Sequence, residues 1–188
     1  MADQLNVLVI CGSLRKGSYN AALTRALPAL APPEMKLITA PPIGTFPLYN
    51  ADVQDSSGFP GPVEDLAAAI RDANGVLFVT PEYNWSMPGV LKNAIDWVSR
   101  MKDQPFEGKP VAIQSASQGP LGGARMQYHW RMSMTFLKAY IFGTPEIFVG
   151  SAASKFDKNT LELTDQPTKD IVRQQLAAFA KFIVKMKG

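Results

Sequence analysis

The chain has little of what most enzymes use to do chemistry. A single cysteine, Cys11, and a single histidine, His129, stand among 188 residues. One cysteine rules out an internal disulfide and any CxxC metal or redox pair. One histidine, with no carboxylate patterned against it, leaves no Ser-His-Asp set and no metal-ligand cluster to assemble. A lone histidine in a helical stretch reads as structural or exposed. Long apolar runs are missing too. Leu5 to Cys11 is interrupted by Asn6, is too short to cross a bilayer, and follows no basic segment that would make it a signal peptide. No membrane partner is expected, and the expected location is cytoplasmic. The formal charge is only +3 and its cations are scattered, so no basic run marks a nucleic-acid surface. Lys181, Lys185 and Lys187 recur at helical spacing, as on a solvated helix face. Two phosphate-binding patterns are also absent: no Gly-Lys-Ser/Thr triphosphate loop, and no Gly-x-Gly-x-x-Gly dinucleotide turn.

What is present is an alternation of short β-rich runs with helical patterns. Hydrophobic residues make up 46% of the chain and charged residues 19%, enough for a packed core, and residues 1–188 read as one domain without repeats. The run from Leu5 to Cys11 is almost wholly apolar, as in a central strand covered on both faces. Met35 to Ala40, Val76 to Thr80, Pro110 to Ser115 and Glu146 to Val149 read as four further strands. Between them, Leu23, Ala26, Leu27 and Leu30 form one helical face, which Pro28 should kink or end. Other helices carry Val63, Leu66, Ala67 and Ile70, a helix ended by Gly75; then Leu91, Ala94, Ile95 and Val98 behind Pro88. A Met- and aromatic-rich helix spans roughly Ala124 to Leu137, and a last helix starts near Thr168. Residues 41–61, rich in Pro and Gly, read as a long surface connection. The expectation is an α/β, flavodoxin-like three-layer sandwich around a five-stranded parallel sheet of order 2-1-3-4-5.

In such sheets ligands bind beyond the carboxyl ends of the strands, where the strand order reverses, here between strands 1 and 3. The three most unusual loops follow strands 1, 3 and 4. The first, residues 12–20, is dense in donors: the hydroxyls of Ser13 and Ser18, the guanidinium of Arg15 and the amide of Asn20. Gly12 and Gly17 let backbone N–H groups converge, and a helix N-terminus adds partial positive charge, which together make a phosphate cradle. The plainer alternative is that Ser18 only caps the helix and Arg15 is a solvated charge. The second loop, residues 80–89, sets Tyr83 and Trp85 between prolines, offering flat faces beside fixed backbone groups, the combination a planar heterocycle needs. Aromatic residues in a loop also serve plain packing. The third, residues 115–123, is small, polar and flexible enough for close backbone approach, or is an ordinary strand-to-helix turn.

With these loops read, the chain resembles the NADPH-dependent FMN reductase family, and most of all its bacterial branch of chromate reductases and NAD(P)H quinone reductases. The matching runs are GSLRKGSYN at 12–20, PEYNWSMPGVLKNAIDW at 81–97 and SxSQGxxGGAR at 115–125, and the likeness extends over essentially the whole chain. The resemblance implies FMN as cofactor and NADPH or NADH as electron donor. It places Ser13, Arg15, Ser18, Tyr19 and Asn20 at or around the phosphate, and Pro81, Glu82, Tyr83, Asn84 and Trp85 at the border of the isoalloxazine ring. Ser115 and Ser117 fall near the ring or ribityl chain. Glu82 is expected to serve loop shape rather than proton donation. By the same resemblance, relatives usually carry Tyr or another aromatic where Trp85 stands, so the ring-facing contact is kept while the hydroxyl is lost. The resemblance further implies small oxidants such as quinones and chromate as substrates, and a homodimer or homotetramer. Leu91, Ile95 and Trp97 match the family's dimer helix, with a second contact around Ala124 to Trp130; the same residues could instead pack the monomer core.

No catalytic side chain is expected, since a flavin brings its own reactivity and asks the protein for position and electrostatics. Hydride would pass from the nicotinamide to flavin N5 and leave to the oxidant in a second step, with backbone N–H groups near Tyr83 and Asn84 stabilising the reduced ring. Two other functions compete. A flavodoxin-type electron carrier is usually acidic, unlike this chain. A low-molecular-weight phosphatase would use Cys11, but needs an arginine six positions later, where Gly17 stands.

Overall fold

The computed structural model describes residues 4–187. Its elements are β1 (Leu5–Cys11), α1 (Tyr19–Ala26), β2 (Met35–Thr39), α2 (Ala51–Ser57), α3 (Gly61–Asp72), β3 (Gly75–Val79), α4 (Gly89–Val98), β4 (Pro110–Ala116), α5 (Ala124–Phe136), β5 (Tyr140–Ile141), β6 (Ile147–Val149) and α6 (Gln166–Lys187). The strands form one parallel sheet of order β2-β1-β3-β4-β5, the flavodoxin-like order, with β6 also paired to β4.

Alternation along β1 sorts its side chains between two layers. Val7 and Val9 pack with Leu23 and Leu27 beside α6 residues Val172, Leu176, Phe179 and Ile183. Leu8 and Ile10 pack on the opposite face with Val63 and Ile70 of α3, Leu91 and Ile95 of α4, and Met126 and Trp130 of α5. Pro28 lies within a 3₁₀ turn, Leu27–Ala29, that finishes α1 as expected from its missing N–H.

Three features depart from the sequence reading. The fifth sheet position is divided: β5 pairs with Pro110 and Val111 at the start of β4, and β6 with Gln114 to Ala116 at its end. Pro145 lies between them and cannot donate to a ladder, so one continuous strand is broken there. The 41–61 connection contains α2, capped by Asn50, whose side chain accepts from the Asp52 N–H. This helix buries no residue, so it leaves no apolar period to detect. Finally, α3 stops at Asp72 and Gly75 opens β3 rather than closing the helix.

Helix α4 is pinned from outside as well as from the core. Trp97 is fully buried, its Nε1 donates to the Pro47 carbonyl at 2.8 Å, and Tyr49 meets its ring edge-on at 5.0 Å. Leu91 and Ile95 are buried with it. Leu91 and Trp97 therefore belong to the monomer core, whereas Ile95, also packed in that core, still forms part of the floor of a surface groove between α4 and α5. The apolar side chains that α5 leaves exposed are Tyr128, Met132 and Phe136.

Candidate cofactor site

The ends of β1, β3 and β4 deliver the three loops to one cleft of about 200 Å³. From the first loop it is lined by Ser13, Arg15, Ser18, Tyr19 and Asn20; from the second by Pro81, Glu82 and Tyr83; from the third by Ala116, Ser117 and Gln118. Asn84, Trp85 and Ser115 lie outside that lining. Larger surface grooves, of about 510, 450 and 270 Å³, touch other parts of the molecule and draw on none of the three strand-end loops.

The first loop starts at a point where no side chain fits. A Cβ on Gly12 would overlap Thr80 Oγ1 and come within 2.6 Å of Thr80 Cβ. Closely packed there, the loop then lifts away. Among the described residues, the backbone N–H groups of residues 13–17 and of Tyr19 have no hydrogen-bond acceptor. Unpartnered N–H groups at the start of a helix form an anion site. Arg15 is exposed and forms no ion pair with any described carboxylate. Ser18 is buried and caps α1, its Oγ accepting from Asn20 N–H at 3.1 Å and Ala21 N–H at 3.3 Å. Capping uses the lone pairs and leaves the hydroxyl proton to donate. Tyr19 leans on Phe156, ring centroids 5.3 Å apart.

Asn20 has a different task from that of a free donor. Its Nδ2 donates to the Ala116 carbonyl and its Oδ1 accepts the Ala116 N–H, both at 2.9 Å and both buried. The next residue, Ser117, sends its N–H to Val149 of β6. Ala116 therefore faces the opposite side, where β3 has already ended at Val79. The Asn20 amide continues the ladder in place of a peptide, and so fastens the first loop to the third.

The second loop closes as a two-residue turn: Tyr83 N–H donates to Ser86 O and Ser86 N–H to Tyr83 O, each at 2.9 Å. Asn84 and Trp85 carry φ of 48° and 66°, as a type I′ turn requires. Asparagine tolerates this conformation, while a bulky residue such as tryptophan is seldom found in it. One expectation is corrected here: the Tyr83 N–H is consumed inside the turn. Within the turn itself, the N–H groups of Asn84 and Trp85 have no acceptor among the described residues. Tyr83 and Trp85 expose half or more of their surface. Trp85 is covered on one face by Arg125, whose Cζ lies 4.3 Å from the ring centroid.

Ser115 is turned inward. Its Oγ donates to Gly122 O at 2.6 Å and accepts from Gln127 Nε2 at 2.7 Å, and Gln127 also donates to Ile147 O. The hydroxyl holds the third loop's glycine turn from beneath. Ser117 remains at the surface, its Oγ donating to Gly119 O at 3.1 Å. His129 contacts Ser86 Oγ at 3.3 Å. No group of metal-ligating side chains occurs among the described residues. Cys11 is half-buried, its Sγ 3.7 Å from the Ser13 carbonyl, more open than a strand-interior position implies.

Residues 5–154 match the family model of the NADPH-dependent FMN reductases. The chain belongs to that family. The reductase is 51% identical over 187 residues to a quinone reductase of Escherichia coli K12, the match covering all of both chains. It is 46% identical over 188 residues to an NAD(P)H-dependent FMN reductase of Pseudomonas aeruginosa, again at full coverage. Among solved structures it superposes with a TM-score of 0.86 on FerB, a flavoenzyme NAD(P)H:(acceptor) oxidoreductase of Paracoccus denitrificans. That pair shares 33% identity over 97% of this chain and 98% of FerB. The reductase is thus an oxidoreductase built on FMN and NAD(P)H. Ala116, Gln118 and Phe156 are the site residues that reading single side chains for chemistry passes over, because two act through backbone or position and the third backs Tyr19 from a distant loop.

Proposed function

We propose that the three-loop cleft holds FMN, with its phosphate on residues 13–19 and its ring against the 83–86 turn, and that quinones are the oxidants that draw electrons from it. The observation that carries this is the row of backbone N–H groups without partners among the described residues, beside an exposed Arg15 that pairs with no described carboxylate. That donor set suits a dianionic phosphate monoester. Bound there, FMN supplies the redox chemistry, taking two electrons from a nicotinamide and giving them to the oxidant. The chain's own part is to bind and orient. Asn84 and Trp85 present free N–H groups at the ring's polar rim, where negative charge collects on reduction. Tyr83 leaves an exposed aromatic face beside them for planar substrates. Chromate is a second class of acceptor, read by the same assay.

Both substrates would use one open face in turn. Initial rates measured while varying NADPH and a benzoquinone should give parallel double-reciprocal lines, and the flavin bands of the purified protein should bleach with NADPH under argon. Intersecting lines contradict the shared face. A colourless protein that takes up no FMN contradicts the whole assignment, and failure to consume NADPH with quinone alone would favour an electron carrier.

We also assign a homo-oligomer, seated on the outer side of α4 and α5 around the groove that Ile95 helps to line, rather than on the buried Leu91 and Trp97. Met132 and Phe136 expose 64% and 85% of their surface and flank a groove between these helices. Exposed apolar area of this kind marks association surfaces. A Phe136→Glu variant should run as a smaller species than the wild type in light scattering; an unchanged mass would remove α5 from the interface.

A further inference from the structure

We propose that Glu82 is a positioning residue: its carboxylate caps α5 from across the cleft, and so holds the 83–86 turn with its two free backbone donors in place for the flavin ring. The proposal rests on the reading that the ring lies against the second loop.

Helix α5 cannot cap itself. It begins after Gly122 and Gly123, both at positive φ, and its N-cap residue Gly123 makes no side-chain hydrogen bond. A side chain at that position is excluded, because a Cβ would fall 2.8 Å from both Cβ and Oγ of Ser115. The serine or aspartate that normally satisfies a helix's first N–H groups has no room. Glu82 supplies the missing acceptor. Its Oε2 takes the Met126 N–H at 3.1 Å, and its Oε1 lies 4.0 Å from the Arg125 guanidinium. A carboxylate at the positive end of a helix is favourable, more so with its side chain only 16% exposed.

The same contact is one of three that join consecutive parts of the second loop to α5. Glu82 binds Met126, Trp85 stacks under Arg125, and Ser86 meets His129. Together they hold a turn whose second central residue, Trp85, has a backbone conformation that bulky side chains avoid. Of the three ties, only that of Glu82 is both charged and largely shielded from water. Removing it should free the turn, and with it the N–H groups of Asn84 and Trp85, without touching the phosphate end.

Equilibrium binding of FMN and of riboflavin, which lacks the phosphate, separates these ends. Glu82→Ala should weaken both ligands by the same factor, about tenfold. Glu82→Gln keeps an oxygen acceptor for Met126 and should recover most of the affinity, whereas Glu82→Asp falls one methylene short and should not. If Glu82→Ala does not fold, the Gln and Asp pair reads the same contrast. A lowered melting temperature with both affinities intact makes Glu82 an ordinary helix cap and overturns the proposal. A loss confined to FMN places the carboxylate's effect at the phosphate and also overturns it. Failure of the wild-type chain to bind either flavin would sink the underlying site reading instead.

Discussion

Replacing Asn20 with alanine should cost the protein about 2–6 kcal/mol of stability and loosen its hold on FMN at the same time. Both partners of the amide are backbone groups of one residue, Ala116, in a fully enclosed setting. Alanine would leave a buried N–H and a buried C=O unpaired, each at about 1–3 kcal/mol. Water cannot easily replace the amide, because Asn20 is only 3% exposed and lies against the sheet. The loss should appear as a lower urea midpoint at unchanged slope. The second effect follows from the geometry, since Asn20 is the link that sets the first loop relative to Ser117. FMN affinity in the variant should fall even at temperatures where it is folded. A stability change under about 1 kcal/mol would mean that the amide's two bonds do not form in solution.

Arg15→Ala should do the reverse, leaving stability nearly untouched while releasing the cofactor. The side chain is exposed and unpaired in the described structure, so folding gains little from it. Against a phosphate, a charge-assisted contact contributes about 1.5–3 kcal/mol, which is about a ten- to hundredfold change in FMN affinity. Riboflavin binding should not move. Salt sensitivity of FMN binding should shrink in the variant, because a charge pair open to solvent is screened. FMN affinity that stays within about twofold of wild type would remove Arg15 from the phosphate site and throw the cradle back on backbone donors alone.

The parts of the fold legible in the sequence are those where burial is two-sided or periodic. β1, β3 and β4 read as mostly apolar runs, broken only by Asn6 in β1 and by Gln114 and Ser115 in β4, because helices cover both faces, and α3 and α4 show the inward stripes Val63, Leu66, Ile70 and Leu91, Ala94, Ile95. α2 and β5 could not be read this way: one buries nothing, and the other is two residues long. For the site, the three loops and most of their lining residues were visible as clusters of polar groups and glycines after strands. What those side chains do was less visible. Ser115 and Ser117 look alike in the chain, yet Ser115 lies within β4 and reaches Gln127 beneath the loop, whereas Ser117 follows the strand's end at Ala116 and stays at the surface. Asn20 looked like one more phosphate donor, and only its contact 96 positions away reveals a structural splice. Glu82 had a readable trace, since a helix opening on Gly122–Gly123 with no capping residue calls for an acceptor from elsewhere.

The divided fifth strand bears on how the chain behaves while crowded and partly folded. A long flat border of free peptide groups invites a second chain to dock and propagate. On this side the border is two stubs, β5 and β6, separated by a stretch containing Pro145, and on the other it is the short β2 with Lys36 and Thr39 facing out. Neither flank offers much uninterrupted backbone to seed intermolecular sheet growth, so the interruption itself works against clumping at high concentration.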